Sequence, residues 1–377
     1  MQDFFIREIT NKNIETELQQ IGFDEGYHTI AADKFKYKNF KIYNLSPAQA
    51  NIIKQTALTA GADCATHREV IRGNIELSDA ILGGSISEIR KISEKLKNQP
   101  FKLGEIGKEL CKQAITERNV KTKLAGILNV TPDSFSDGGK YIKPINAQKH
   151  LIQMIEDGAD IVDIGAESTR PYSSAVSPEE QIERLKPILK FIQDENIKTT
   201  ISIDTRSSAV AEFVLDNGAT VINDVSGFNY DIKLPNVIAK YNAGIILQHS
   251  KGNPENMQNK PDYINVVEEV YLSLKNKIEY AKSLGIKNII ADIGIGFGKS
   301  KEHNFELLNR IEEFFSLNCP VMVGISRKSL LGVTNNDNDL KDSLSLALSY
   351  PLIQKGVDFL RVHNVKLHNS LLNTLNI

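Results

Sequence analysis

The feature that most constrains this chain is a rhythm that begins near residue 120. Short apolar runs alternate with segments of helical spacing. The runs are LAGILNV from Leu124, IVDIG from Ile161, TISID from Thr200, TVIND from Thr220, GIILQH from Gly244, NIIADIG from Asn288, PVMVGIS from Pro320 and DFLRVH from Asp358. Between them stand segments such as SPEEQIERLKPILKFI (177–192) and SAVAEFVLDNGA (208–219). Apolar runs without strict alternation suit strands buried on both faces. Strand–helix repetition implies a parallel sheet. Eight such units over about 250 residues fit a closed (β/α)8 TIM barrel. An open doubly wound sheet is the rival, ranked lower because the units number eight and no dinucleotide fingerprint is present.

The expected organisation is therefore α/β: a small α/β N-terminal extension over 1–120 and a TIM barrel over 121–377. In the first segment FKIYNL (40–45) reads as a strand. Ser46 then caps a helix with Pro47 at its first position, ending near Gly61. DAILGG (79–84) reads as another strand, with Ser85 capping ISEIRKISEKL. GKELCKQAITERNVKTK (107–123) reads as a helix leading into a linker. No catalytic constellation stands out here; Cys64 and His67 are isolated ligand types and read as packing or surface residues.

Bulk properties narrow the function. A net charge of -2 steers the chain toward neither nucleic acid nor anionic lipid. No run approaches the ~20 apolar residues of a membrane span. The three cysteines are far apart, no C-x-x-C occurs, and the start MQDFFIREITNKN lacks a signal peptide's n-region. A reduced cytoplasmic setting is expected.

The runs end in polar residues: Asn129, Asp163, Asp204, Asn223 with Asp224, Gln248 with His249, Asp292, then Ser326–Lys328, and finally Arg361 with His363. A parallel barrel collects these ends on one face, where barrel enzymes keep their sites. Any one of them can be a helix cap. A whole ring of buried polar groups implies a ligand that supplies missing partners. Asp204, Asn223 and Asp292 are acceptors suited to a flat heterocycle with adjacent N–H donors. Lys328, Arg361 and His363 come from the last two strands, where barrels often hold phosphate. Asn129 adjoins them across the closure, and its amide oxygen is a suitable Mg²⁺ ligand.

Other signals are weaker. GIGFGKS (294–300) fails the P-loop and dinucleotide templates and reads as a tight loop bringing backbone close to a ligand. GISRK is not a nucleophile elbow. His249 reads equally as packed or catalytic. His150 and His303 read as surface residues.

In order along the chain, GILNVTPDSFSDGG, GAESTRP, SIDT, VINDVSG, GIGFGKS, GISRKS and RVHNV resemble the dihydropteroate synthase family, over roughly residues 123–377. The resemblance implies a transferase of folate biosynthesis that joins 6-hydroxymethyl-7,8-dihydropterin diphosphate to 4-aminobenzoate and releases diphosphate, with Mg²⁺. It implies pterin contacts from Asp204, Asn223, Asp292 and Lys328, diphosphate contacts from Arg361 and His363, and Mg²⁺ and diphosphate contacts from Asn129. Thr169, Arg170 and Pro171 would shape the aminobenzoate pocket beside Phe297, Lys328 and Ser329, where sulfonamides would compete. It further implies a homodimer. Asp133 either faces cationic charge developing on the pterin methylene or caps a turn. The loops after Asn129 and Asp163 are expected to close over that carbon and exclude water.

The chain departs from the family pattern at Ala166, Ile293, Gln248, Ser250 and Asn364. The segment before residue 120 lies outside the pattern. A pterin-dependent methyltransferase and a non-catalytic pterin- or phosphate-binding regulator are the competing readings; neither needs both the diphosphate grip and the intact polar ring.

Overall fold

A computed structural model of the chain describes residues 5–10, 13–118, 120–131, 144–167, 176–252, 261–335 and 337–375. It divides into two compact units, residues 1–118 and 119–377.

The first unit is a three-stranded antiparallel sheet of β1 (Tyr37–Leu45), β2 (Asp63–Thr66) and β3 (Ser78–Ser85), in the order β1-β3-β2. Short helices α1 (Ile14–Gln20) and α2 (His28–Ala32) precede it. Helices α3 (Pro47–Ala60) and α4 (Ile86–Leu96) follow β1 and β3, and α5 (Leu103–Ile115) packs on α4. Ser46 and Ser85 each close a capping box, with Gln49 and Glu88 as reciprocal partners. Gly61, at φ 90°, ends α3 in the left-handed cap that glycine favours. The core of this unit is aliphatic, with Ile53, Leu82, Ile89, Ile92 and Leu96 buried. The short strand β2 was not read from the sequence; its four residues carry no periodic signal.

The second unit is a closed parallel barrel of eight strands in chain order: β4 (Lys123–Asn129), β5 (Ile161–Gly165), β6 (Thr200–Asp204), β7 (Val221–Asp224), β8 (Gly244–Gln248), β9 (Ile289–Asp292), β10 (Val321–Val323) and β11 (Phe359–Val362). Strand β11 pairs with β4, with Arg361 opposite Ala125. Each strand is followed by a helix: α6 (Pro144–Glu156), α7 (Pro178–Asp194), α8 (Ser208–Asp216), α9 (Leu234–Lys240), α10 (Val266–Ser283), α11 (Lys301–Asn309), α12 (Asn338–Gln354) and α13 (Val365–Thr374).

Period-two alternation sorts each strand. Val162, Ile164, Ile222, Leu247, Ala291 and Leu360 belong to the large core shared with the helices. Ala125, Ile161, Ile246, Met322 and Phe359 form a separate cluster, joined by Val221 and Ile290. That cluster is the apolar floor inside the barrel. Two residues further along a strand the side chain returns to the same face. Ile161 therefore predicts an inward Asp163, Val221 an inward Asn223, Ile290 an inward Asp292 and Phe359 an inward Arg361. An apolar plug carries a polar layer directly above it.

The loop between β9 and α11 is fixed from within. Glycines 294 and 298 take φ +67° and +62°, and a Cβ there would lie 1.8 Å from the His249 carbonyl and 2.1 Å from the Lys251 carbonyl. The close approach expected of GIGFGKS is thus to the chain after β8. Buried Lys299 binds this loop from beneath: its Nζ donates to the carbonyls of Gly294 (2.8 Å) and Phe297 (3.0 Å) and meets His249 Nδ1 at 3.0 Å. Burial is the chief cause that depresses both the Lys299 and His249 pKa values. His249 is therefore neutral and packed. His303 closes the cap of α11 with Ser300 and meets the Tyr263 ring edge-on at 5.0 Å, so it is a structural residue. Replacing Lys299 by Met takes the donor from the Phe297 carbonyl and from His249 Nδ1, while the Gly294 carbonyl keeps the Phe297 N–H at 3.2 Å. At about 1–3 kcal/mol per buried unsatisfied group, a loss of at least about 2 kcal/mol is expected in urea unfolding; a change below about 0.5 kcal/mol would show that the loop stands without the lysine.

Candidate active site

Strand register sets the site. Asn129 pairs with Gly165, Gly165 with Asp204, and Asp204 with Asn223, so strand ends β4 to β7 stand in one row. Gly165 leaves room for the Asn129 amide: a Cβ there would sit 3.3 Å from Asn129 Oδ1. At the other side, Gln248 pairs with Asp292 and Asp292 with Met322.

The centre of the site is Arg361. Its Nε donates to Asp163 Oδ2 at 2.6 Å and its Nη2 to Asp204 Oδ2 at 2.9 Å. Asn223 Nδ2 donates to the same Asp163 oxygen at 2.9 Å. The second carboxylate oxygens, Asp163 Oδ1 and Asp204 Oδ1, and the amide oxygen Asn223 Oδ1 are buried and have no hydrogen-bond partner among the described residues. Buried acceptors without donors are costly, and a cluster of them marks a place for a donor-rich ligand. Asp292 keeps one oxygen on the Gly294 N–H at 2.7 Å.

The electrostatics follow from burial. Desolvation raises the Asp204 pKa to about 7; Arg361 opposes this, while Asp163, Glu167 and Asp224 add to it. Desolvation also raises Asp292, with Lys328 and Arg361 opposing. It lowers Lys328 to about 8, against Asp292 and Asp204. For Arg361, burial acts against the charge, but Asp163 and Asp204 outweigh it and the pKa rises. Asp204, Asp292, Lys328 and Arg361 thus share one rim, where the charged Arg361 shifts the pKa values of the other three.

Lys328 Nζ donates to the Ile295 carbonyl at 2.5 Å and lies 4.8 Å from the centre of the Phe297 ring. Phe297 is buried against Val225. Ser329 is exposed and opens the turn Ser329–Leu331. His363 Nδ1 meets Ser326 Oγ at 2.9 Å. Asp133, Thr169, Arg170 and Pro171 lie outside the described residues. Among the described residues no group of three His, Cys, Asp or Glu is placed to hold a metal.

Several partnerships in the site carried no sequence signal. Asp163 was visible as a strand-end carboxylate, yet its partnership with Arg361 spans 198 positions. Glu167 accepts from Arg206 Nη2 at 3.1 Å and from the Val176 N–H at 3.2 Å, so it ties the two flanks of segment 168–175 to the end of β6. Arg206 in turn stacks 4.0 Å over the Tyr230 ring. Ser207, not Asp204, caps α8. Asp224 is a turn residue: it accepts from the Ser226 and Phe228 N–H groups. The departures are accommodated: Ile293 is fully buried, and Gln248 donates to the Val225 carbonyl at 3.3 Å.

Comparison with known proteins agrees with this geometry. The family model described as pterin binding enzyme matches residues 125–363. The dihydropteroate synthase of Clostridium beijerinckii is 43% identical over 255 residues, covering 66% of this chain and 91% of that protein. The bifunctional dihydropteroate synthase/dihydropteroate reductase of Helicobacter pylori is 32% identical over 375 residues, 97% of each chain. A probable bifunctional folylpolyglutamate synthase/dihydropteroate synthase of Haloferax volcanii is 34% identical over 343 residues, but this chain spans only 40% of its length. Among solved structures, the Thermus thermophilus dihydropteroate synthase in complex with 4-aminobenzoate superposes with a TM-score of 0.60 at 35% identity, over 68% of this chain and 94% of that one. A closed eight-stranded barrel with a rim of unpaired acceptors, matched along its whole length, shows that this chain belongs to the dihydropteroate synthases.

Proposed function

We infer that the barrel joins 6-hydroxymethyl-7,8-dihydropterin diphosphate to 4-aminobenzoate, giving 7,8-dihydropteroate and diphosphate. The observation that carries this reading is the set of unpartnered buried acceptors on Asp163, Asp204 and Asn223 above an apolar floor. A reduced pterin presents adjacent ring N–H and amino donors on one edge and a flat face, which meets both demands.

The bond that breaks joins the pterin methylene to the diphosphate oxygen; the bond that forms joins that methylene to the arylamine nitrogen. The C–O electrons leave on diphosphate, and the amine proton passes to solvent after attack. Positive charge develops on the methylene and spreads into the ring held by Asp204, Asn223 and Asp292. Lys328 lies between the acceptor side and Phe297, where the aminobenzoate ring would stack. Arg361 and His363 face the departing anion, and preorganised charge there acts without reorganisation. Arg361 is already bound by two carboxylates, so its fork is shared between pterin site and diphosphate. Asn129 suits Mg²⁺, an ion that commonly uses few side chains and completes its shell with phosphate and water; bound there, it would neutralise charge on the leaving group. Holding both reactants in line supplies a further part of the rate. Sulfonamide competition and a homodimer belong to the same proposal.

A second reading concerns residues 1–118. The Helicobacter pylori relative is named for dihydropteroate reduction as well, and its match includes this unit. The unit has its own core and an open cleft of about 600 Å³ lined by Lys41, Asn44, His67 and Asp79. Two-electron reduction of 7,8-dihydropteroate by the full chain, assayed with a reduced nicotinamide and with a reduced flavin as donor, is the observation that would support a second activity there; no turnover with either donor would count against it.

The primary test is diphosphate release by the full chain with both substrates and Mg²⁺. Release is expected, and Asp204→Asn is expected to lower kcat/KM by at least about 100-fold, because the amide presents one donor where the pterin needs acceptors. Equal turnover of this variant and the wild type would remove Asp204 from the site. A pH dependence follows as well. The folded Asp204 pKa of about 7 lies above the ordinary 3.8, so its share of stability is present below 3.8 and is lost as pH rises through about 7 in the unliganded protein. A ligand that donates to the carboxylate reverses the preference. Pterin affinity should therefore rise from about pH 5.5 to 7.5 with proton release on binding, as read by calorimetry in buffers of different ionisation enthalpy; a flat profile would show that Asp204 does not bind as the carboxylate.

A further inference from the structure

The turn after β10 carries Ser326, Arg327, Lys328 and Ser329. Arg327 takes φ +56°, a strained conformation for a residue with a Cβ. Helix α12 holds it there. Arg327 Nε and Nη2 donate to Asp342 Oδ1 and Oδ2, each at 2.8 Å, and the Arg327 N–H donates to Ser345 Oγ at 3.3 Å. Two parallel bonds from a planar fork fix both distance and orientation. Asp342 is 4% exposed. Burial acts to raise its pKa, but the bonds and charge of Arg327 outweigh this and hold it low.

Asp342 has one more partner. Asn364 Nδ2 donates to its Oδ2 at 3.3 Å. Asn364 directly follows His363 and caps α13, its Oδ1 accepting from the Leu367 N–H at 3.0 Å. The circuit closes at the top of the strands, because His363 meets Ser326 through both its ring and its backbone N–H. Ser326, Arg327, Asp342, Asn364 and His363 thus form one hydrogen-bonded ring that joins the turn after β10 to the turn after β11.

We propose that Asp342 and Asn364 are positioning residues for this reaction: neither lies at the rim, and together they set the Lys328 turn and the His363 turn in one register. The inference rests on the reading of the barrel as a pterin diphosphate site, since Lys328 and His363 are the groups positioned. It also gives the amide at 364 a reason. An aspartate there would keep the α13 cap, but it would lose the Nδ2 donor and set a second carboxylate against Asp342 Oδ2, with one guanidinium between them. The two positions are therefore coupled: one of them carries the carboxylate and the other the amide.

A charge swap tests this in the diphosphate-release assay on the full chain. Asn364→Asp should lower kcat/KM about tenfold, and Asp342→Asn at least as much, because it leaves Arg327 unpaired. The double variant Asp342→Asn/Asn364→Asp restores one carboxylate and one amide, and should recover to within about threefold of the wild type. Asn364→Ser keeps the cap without adding charge and should lose about threefold or less. Melting temperatures of all four variants separate positioning from folding: Asn364→Asp is expected to lose activity out of proportion to its change in melting temperature. An active wild type alongside an Asn364→Asp variant of equal activity, or a double variant no better than the worse single one, would overturn the coupling. Wild-type turnover in the same assay keeps failure of the swap distinct from failure of the reaction assigned to the barrel. Should Asn364→Asp not fold, a folded, active double variant supports the coupling and an unfolded one overturns it.

Discussion

Arg361 lies between Asp163 and Asp204 at 2.6 and 2.9 Å, and the three residues come from β11, β5 and β6. Two buried carboxylates side by side would repel each other and draw in protons. One guanidinium between them stabilises both, and it does so by drawing one oxygen of each toward itself. The opposite oxygens are left with no donor among the described residues. The arrangement that stabilises the unliganded site is therefore also the one that leaves it incomplete. Removal of one member of such a buried group leaves uncompensated charge, which is strongly destabilising; the fold and the site cannot be separated at these positions.

The rest of the barrel keeps that arrangement in place. The apolar floor of Ile161, Met322 and Phe359 stops water from reaching the triad from below. The loop after β9, bound from beneath by Lys299, delivers the Ile295 carbonyl to Lys328 and sets the Phe297 ring beside it. Glu167 draws Arg206 and Val176 together at the end of β5. The circuit through Asp342 fixes the two turns that carry the cations. Acceptors stand at the ends of β5, β6, β7 and β9, and the cations Lys328, from the turn after β10, and Arg361, from β11, lie among them.

Much of this was legible in the residues. All eight strands follow the apolar runs, and both serine caps of the N-terminal unit stand where the cap signals put them. The polar strand ends named Asp204, Asn223, Asp292, Lys328 and Arg361 as a set, since a parallel barrel brings strand ends to one face. Partnerships were less legible. Nothing local links Arg327 to Asp342 or Lys299 to His249, and Arg361 reads as a free anion clamp until its two carboxylates are seen. The glycines of GIGFGKS were correctly read as a close approach, but what is approached is a neighbouring carbonyl.

The sequence by itself determined the barrel, the face on which the site lies and the family, because strand period, helix spacing and ordered motifs are properties of short stretches of chain. It did not determine which charges neutralise which. That was decided by closure of the sheet, which sets residues 157 and 198 positions apart at hydrogen-bond distance. Pairing energy depends on separation in space and on exclusion of water, and neither exists until the strands have closed into a ring.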